Sequence, residues 1–557
     1  MIYPGAATDS ANRVAATEHR DRKWNARVYE TSPIRIWDHW LDDRHASLFV
    51  QTLEPGASPR DILAGTRLFA TAGFRGQLGN NGEEISAAWT PDGSSVVFAA
   101  TNSLNDWTYA NVLQSLWLVN QAGGEPARLT PANADYGSPR FSRDGRALYA
   151  TMTPDNEEVF NNTRVVMWSW PNGIGASALA PGAVVAGGSA RSVGAWSLSG
   201  DGRAIYFLAE SEGHQRLFRT PAAGGADREI GSLTSGSYGG LQAEGIAIAA
   251  TWESAVSPAE VGRIDPVTGR WTALSRFNAG RVARLNWQPL REFWFTSSRG
   301  KKIHSFIALP PNFDSTRKYP LFVLIHGGAA NMWTDNITYR WNYHLLGAAG
   351  YVMLMTDYTG STGYGERFTQ AIKLDPLQGP ANDVNEAADE AIKRFAFVDA
   401  ARQVAGGASY GGHLANWLAV TTTRYRALVS HAGEWDLESQ WATSDFMFDR
   451  ERTNGGKPPW ENGAIWHDQS PMRRAANLHT PVLVSVGERD FRVPMNNALE
   501  FWTALQRQHV PSKLVIWPTE NHWILNAENS RFFYSTVREW MERWLAGPGS
   551  PIKGSAQ

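Results

Sequence analysis

Residues 402–423 read RQVAGGASYGGHLANWLAVTTT. Three kinds of segment follow one another here. RQVAGG has the short apolar, Gly-ended look of a buried strand, and HLANWLAV has the spacing of a helix. Between them, Gly407-Ala408-Ser409-Tyr410-Gly411 is a complete Gly-x-Ser-x-Gly. With 52 glycines in the chain, chance alone supplies roughly 0.3 such matches, so the motif is weak until its context is read. A strand–turn–helix corner supplies that context. It holds a serine in a strained turn with its hydroxyl above the sheet, and side chains at the flanking glycines would clash. The first N–H groups of the helix point at the same spot and favour a developing oxyanion. The same four letters, SYGG, recur at Ser237. There Ser235 stands where the first glycine would be, inside a turn cluster TSGSYGG, and ordinary turn chemistry is expected.

A serine hydroxyl needs a base. The order nucleophile, acid, histidine, each just past a later strand, places Asp490 in PVLVSVGERDFRVP and His522 in KLVIWPTENHW. His522 would take the Ser409 proton, and Asp490 would fix the imidazole tautomer. Two oxyanion donors are expected. One is the Tyr410 backbone N–H, and the other is the N–H of Gly328 in LFVLIHGGAA.

Working outward, the strands FVLIHGG, YVMLMTD, RQVAGG, ALVSHAG, PVLVSVGE and KLVIWP alternate with helical segments from about residue 291 on. That alternation predicts a doubly wound, mostly parallel sheet with helices over both faces, an α/β-hydrolase domain over 291–546. In its last helix, Phe533, Val537, Trp540 and Trp544 share one face. Upstream, the pattern changes. TPDGSSVVFAAT, SRDGRALYATM and SGDGRAIYFLAE repeat an Asp-Gly turn followed by an apolar strand. With LFVQTLEPGASPRDIL and VGRIDPVTGRWTALS they make about five beats, about 45 to 55 residues apart with one wider gap. Residues 1–290 are therefore expected to form an all-β propeller of about five blades, with a β-sandwich as the alternative. Residues 547–557, rich in Gly, Pro and Ser, read as a flexible tail.

The composition sets limits. A chain of 557 residues with 43% apolar and 19% charged residues is a folded protein of two or three domains. A net charge of −2 gives no reason to expect nucleic acid or an anionic membrane as partner. No apolar run approaches a membrane span. Cysteine is absent, which removes disulfides, thiolate zinc sites and a thiol nucleophile. The histidines form no His-Glu-x-x-His, so neither metal nor cofactor is expected. The opening MIYPGAATDSANRV lacks the basic-then-apolar grammar of a secretory leader, and the compartment stays open: cytoplasmic as the chain stands, periplasmic if its start is truncated.

The combination IHGG, STGYGERF, GASYGGHLANW, VGERDFRVP and NHWIL, behind a repeat of propeller period, resembles the prolyl oligopeptidase family of serine peptidases, in its dipeptidyl-peptidase V and acylaminoacyl-peptidase branch. The resemblance is dense over 291–546 and rests on pattern upstream. It implies a propeller that restricts entry to short peptides and hydrolysis through an acyl-enzyme, releasing N-terminal dipeptides. An acylaminoacyl peptidase or carboxylesterase with the same triad, and an inactive peptide-binding protein, are the alternatives. The triad maps onto Ser409, Asp490 and His522, and the oxyanion donors onto Gly328 and Tyr410. In dipeptidyl members, acidic groups outside the hydrolase half hold the free amino terminus. Glu158, with Glu157 next, occupies a suitable position in MTPDNEEVF, where a plain solvated loop is the competing reading. Trp441, Phe446 and Val493 are candidates for an apolar pocket beside the nucleophile. Two departures stand out. Ala329 replaces the proline of the family's His-Gly-Gly-Pro loop, and five beats fall short of the family's usual seven or so blades. An incomplete propeller would expose strand edges, which favours fraying or homo-oligomers.

Overall fold

The computed structural model describes residues 2–546 apart from 4, 5, 7, 81, 171–178, 180, 245, 246 and 462. The expected tail, 547–557, lies outside the described residues. Contacts divide the chain into two compact units. The first is Met1–Phe207, Phe218–Ile230 and Gln242–Ala247; the second is Leu208–Leu217, Gly231–Leu241 and Ile248–Gln557.

Four successive four-stranded sheets, each with its strands neighbouring in chain order, begin at Ala87, Ala134, Trp196 and Ser237. Each of the later four sequence beats marks strands inside one sheet. The repeated Asp-Gly turn has a repeated cause. In the first three sheets the aspartate Oδ1 accepts a hydroxyl and a backbone N–H: Asp92 from Thr90 and Ser94, Asp144 from Ser142 and Arg146, Asp201 from Ser199 and Arg203. The following Gly93, Gly145 and Gly202 take φ of 70°, 72° and 69°, where a side chain would be strained. The earliest beat is less than a full sheet: Phe49–Val50 pairs with Arg60–Asp61 as a two-residue ladder. The first 290 residues are also not all-β. Asp9–Arg20 forms a helix, started by Thr8, whose hydroxyl accepts the Ala11 N–H at 3.1 Å.

The second unit is built on an eight-stranded sheet. Its strands are β1 (Arg291–Thr296), β2 (Lys302–Ala308), β3 (Tyr319–Ile325), β4 (Val352–Asp357), β5 (Val398–Ala408), β6 (Leu428–His431), β7 (Val482–Gly487) and β8 (Ser512–Trp517). Their spatial order is β1-β2-β4-β3-β5-β6-β7-β8. All six strands expected from the sequence form, and from β4 to β8 every neighbour is parallel. The sequence reading did not single out β1 and β2. They pair antiparallel through a tight turn in which Ser297 N–H donates to the Lys301 carbonyl at 2.8 Å, and β2 runs antiparallel to β4.

Helices α1 (Gln378–Arg394), α2 (Tyr410–Thr421), α3 (Leu437–Thr443), α4 (Met495–Arg507) and α5 (Ala527–Leu545) accompany the sheet. The face read on the last helix is the one it buries. Phe533, Val537, Trp540 and Met541 of α5 cluster with Phe322, Leu324, Met353, Val404, Val429 and Leu483 from five strands, and Trp544 packs at the rim. A parallel sheet sends its strand ends to one edge, where loops collect catalytic groups while the core stays dry.

Candidate active site

At the end of β5 the chain turns sharply into α2. Ser409 sits at the corner with φ 57° and ψ −125°. A β-carbon there is strained, and such strain is kept only where the surroundings impose it. The neighbouring strand imposes it. A Cβ on either Gly407 or Gly411 would overlap the carbonyl O of Ile325 at the end of β3. The spacing of the motif is thus the spacing at which β3 touches the turn. The Ser409 N–H donates to the His431 carbonyl at 2.9 Å, and its own carbonyl starts α2 by accepting the His413 N–H.

Asp490 and His522 follow β7 and β8. The Asp490 carboxylate is buried, and its two oxygens have separate tasks. Oδ1 accepts the N–H groups of Arg492 and Val493 at 2.9 and 2.8 Å, while Oδ2 lies 2.6 Å from His522 Nδ1. Because the carboxylate accepts, Nδ1 carries a proton, so the tautomer of the neutral ring is the one with its lone pair on Nε2. One residue that the sequence did not mark joins this pair to the serine turn. His431, at the end of β6, accepts Ser409 N–H with its carbonyl, and its Nε2 donates to the His522 carbonyl at 3.4 Å. Its Nδ1 accepts from the Ser485 hydroxyl at 3.0 Å. Burial, with the nearby His522, drives its pKa down to about 4, so this linker stays neutral.

The loop after β3 lies against the serine. A Cβ on Gly327 would stand 2.8 Å from the Ala408 carbonyl and 3.2 Å from Ser409 Cβ, and Gly328 follows with φ 57°. His326 is fixed at the loop's start. Its Nε2 meets Ser361 Oγ at 3.0 Å, the Tyr358 hydroxyl donates to its carbonyl at 2.8 Å, and the two rings stack 4.2 Å apart. Tyr410, the first residue of α2, is buried with its hydroxyl on the Pro376 carbonyl, which leaves its backbone N–H at the helix start.

The remaining candidates fall in different places. Val493 has a buried side chain, and its backbone N–H is one of the two that hold Asp490. Phe446 lies under the Arg492 guanidinium at 4.6 Å, and Arg492 pairs with Asp445 at 2.6 Å, so the 441–446 and 490–493 segments do meet. Trp441, on α3, donates its indole N–H to Glu451 at 2.8 Å and packs edge-on against Trp460. Glu157 and Glu158 lie exposed in the first unit, between its strands Ala147–Pro154 and Arg164–Ser169. Ser237, by contrast, has its hydroxyl on the Gln215 N–H at 3.1 Å, the structural role expected of it. His413 of α2 and Glu434 are buried 3.0 Å apart, with Arg450 3.7 Å from Glu434. Among the described residues no group of three or more His, Asp or Glu is placed to hold a metal ion.

Residues 337–548 match the profile described as the prolyl oligopeptidase family. A dipeptidyl-peptidase 5 of Porphyromonas gingivalis is 29% identical over 94% of this chain and 75% of its own length. One from Aspergillus fumigatus is 28% identical over 93% and 74%. The solved acylaminoacyl peptidase of Pyrococcus horikoshii shares the fold at a TM-score of 0.72, with 21% identity over 85% of this chain and 72% of that one. A strained serine at the strand–helix corner, an imidazole three strands away held by an aspartate, and these relatives lead to one conclusion: the chain is a serine-type peptidase, similar over residues 337–548 to the prolyl oligopeptidase family.

Proposed function

We propose that this peptidase hydrolyses short peptides through an acyl-enzyme and releases dipeptides from their amino termini, as the names of its dipeptidyl-peptidase 5 relatives suggest. The observation that carries the site assignment is the 2.6 Å contact between Asp490 and His522, joined through His431 to the turn bearing Ser409. In this reading Ser409 Oγ adds to the scissile carbonyl as His522 Nε2 takes its proton. Charge on the carbonyl oxygen falls toward the N–H groups of Tyr410 and Gly328. The C–N bond then breaks, the imidazolium gives its proton to the leaving amine, and water repeats the sequence to free the acid. No step requires a metal or an organic cofactor.

The finer architecture belongs to the same proposal. Residues 1–290 are read as an incomplete propeller, whose full blades are the four four-stranded sheets, and 291–546 as an α/β-hydrolase domain. Glu158, then Glu157, stays the candidate for the substrate's ammonium group, and Trp441, Phe446 and Val493 the candidates for the apolar pocket.

The test is a cleavage profile on peptides with free and with blocked amino termini, run beside Ser409→Ala. Dipeptide release from free termini only, lost in Ser409→Ala with the fold intact, is expected. Preference for acetylated termini would make it an acylaminoacyl peptidase, and activity surviving in Ser409→Ala would overturn the site.

A further inference from the structure

A second ionisable cluster lies at the same sheet edge and takes no part in the chemistry above. His304 on β2 and Asp357 on β4 face each other across the ladder, and both side chains are fully buried. His304 Nδ1 stands 3.1 Å from Asp357 Oδ2 and 2.8 Å from the Tyr364 hydroxyl, while its Nε2 stands 3.3 Å from Glu292 on β1. A carboxylate faces each ring nitrogen. Carboxylates only accept, so both nitrogens donate and the ring is an imidazolium. Tyr364 donates its hydroxyl to Asp357 Oδ2 at 2.6 Å. The other oxygen, Oδ1, reaches into the loop after β3, where it accepts the Trp333 N–H at 2.7 Å and lies 3.8 Å from His326 Nε2.

That loop, His326 to Trp333, holds Gly327 against Ser409 and carries the Gly328 donor. Its first residue is gripped by Tyr358 and Ser361, and its last by Asp357. In between, the Thr362 N–H donates to the Asn331 carbonyl at 3.0 Å. We propose that His304, Asp357 and Tyr364 are positioning residues: a buried imidazolium–carboxylate–phenol cluster that fixes the far end of the oxyanion loop. The proposal rests on the serine-peptidase reading. It assigns the cluster an effect on the transition state and little effect on substrate affinity, because a donor misplaced by an ångström weakens charge stabilisation before it weakens binding.

The charge on His304 supplies the readout. Burial opposes it, but the hydrogen bonds and charges of Asp357 and Glu292 outweigh burial and raise the imidazole to about 9. The ionisable groups packed around it are Glu292 on β1, Asp357 on β4, Tyr364, His326, and Glu210, Glu212, His214 and Arg216 of the 208–217 hairpin. Tyr364 is pushed well above the ordinary phenol range by burial and by these carboxylates, so it stays a donor. A folded pKa above the unfolded value means that the interaction is whole at neutral pH and is lost as pH rises through about 9.

The experiment compares wild type, His304→Gln and Tyr364→Phe at saturating peptide from about pH 6 to about pH 10, with fluorophosphonate labelling of Ser409 in parallel. Wild-type kcat should fall on the alkaline side near pH 9. His304→Gln should lose roughly 10- to 100-fold in kcat near neutral pH, keep KM within about threefold and show no alkaline fall. Tyr364→Phe keeps the ion pair and should lose roughly three- to tenfold in kcat, and it decides the matter if His304→Gln does not fold. A flat wild-type kcat, a His304→Gln enzyme with wild-type kcat, or a loss confined to KM overturns the proposal. Failure of the functional reading looks different: peptides go uncut and Ser409 goes unlabelled even in the wild type.

Discussion

Asp490→Asn is the most exacting test of the site, because it changes one atom and almost no volume. Asp490 is buried, with Oδ1 engaged by two backbone N–H groups at 2.9 and 2.8 Å. An asparagine oxygen fits only there, since an amide NH2 would face two donors. The NH2 is therefore forced to the Oδ2 position, 2.6 Å from His522 Nδ1. Two donors cannot share that contact, so the imidazole moves its proton to Nε2 and presents a lone pair at Nδ1. Nε2–H cannot accept the Ser409 proton. The expected loss is about 10^4-fold in kcat, about 5.5 kcal/mol at the transition state, with KM little changed. The fold should survive, because both backbone contacts are kept. The assay is steady-state turnover of a dipeptidyl substrate beside the rate of fluorophosphonate labelling and a thermal melt. A folded Asp490→Asn enzyme within tenfold of wild type would show that the Asp490–His522 contact is structural only, and the base would have to be sought elsewhere.

Three further outcomes follow from named contacts. Gly411→Ala puts a methyl onto the Ile325 carbonyl and within 2.9 Å of the His326 carbonyl, so expression of folded protein should collapse, as a solubility assay would report. Arg492→Ala leaves the fully buried Asp445 carboxylate without the guanidinium now 2.6 Å away; a stability loss of about 3 kcal/mol or more is expected in denaturant melts, with KM rising as the 441–446 segment loosens. Glu434 is raised by burial to about 7 despite Arg450 nearby, so its contribution to stability is whole below the unfolded carboxyl value and is lost as pH rises through about 7. Glu434→Gln should therefore raise the melting temperature relative to wild type at pH 8, by at most about 3 kcal/mol of stability, and the gap should close near pH 5.

What could be read from the sequence is what local backbone geometry encodes. The Asp-Gly turns repeat because each aspartate binds its own neighbours, within two residues along the chain. The serine corner is legible because Gly407 and Gly411 are both set by one carbonyl, that of Ile325. The edge strand Arg291–Thr296 escaped the reading because its residues alternate between exposed and buried, unlike the continuous apolar runs of β3 and β4. His431 escaped for another reason. Its importance is a matter of which carbonyl and which ring nitrogen meet across β5, β6 and β8, and a histidine at a strand end has no pattern of its own. The two-residue ladder at Phe49–Val50 shows the converse: a sequence beat marks a turn between strands, and the number of strands that join it depends on pairings that the beat does not contain.

The loop after β3, from His326 to Trp333, is held from outside its own backbone. Ala329 stands where the family pattern has proline, so the backbone there has lost a covalent restraint on φ. A freer loop should cost order in the ground state, yet in the proposed mechanism Gly327 must stay against Ser409 for Gly328 to donate. The restraint that remains is non-covalent and comes from the next strand. Tyr358 and Ser361 grip the start, and Asp357, neutralised by His304, grips the end. A buried carboxylate is costly unless it is paired and hydrogen-bonded, and His304, Tyr364 and the Trp333 N–H supply those partners. The histidine on β2 therefore matters to a reaction that it never touches: it pairs with Asp357, and Asp357 holds the Trp333 end of the loop in place.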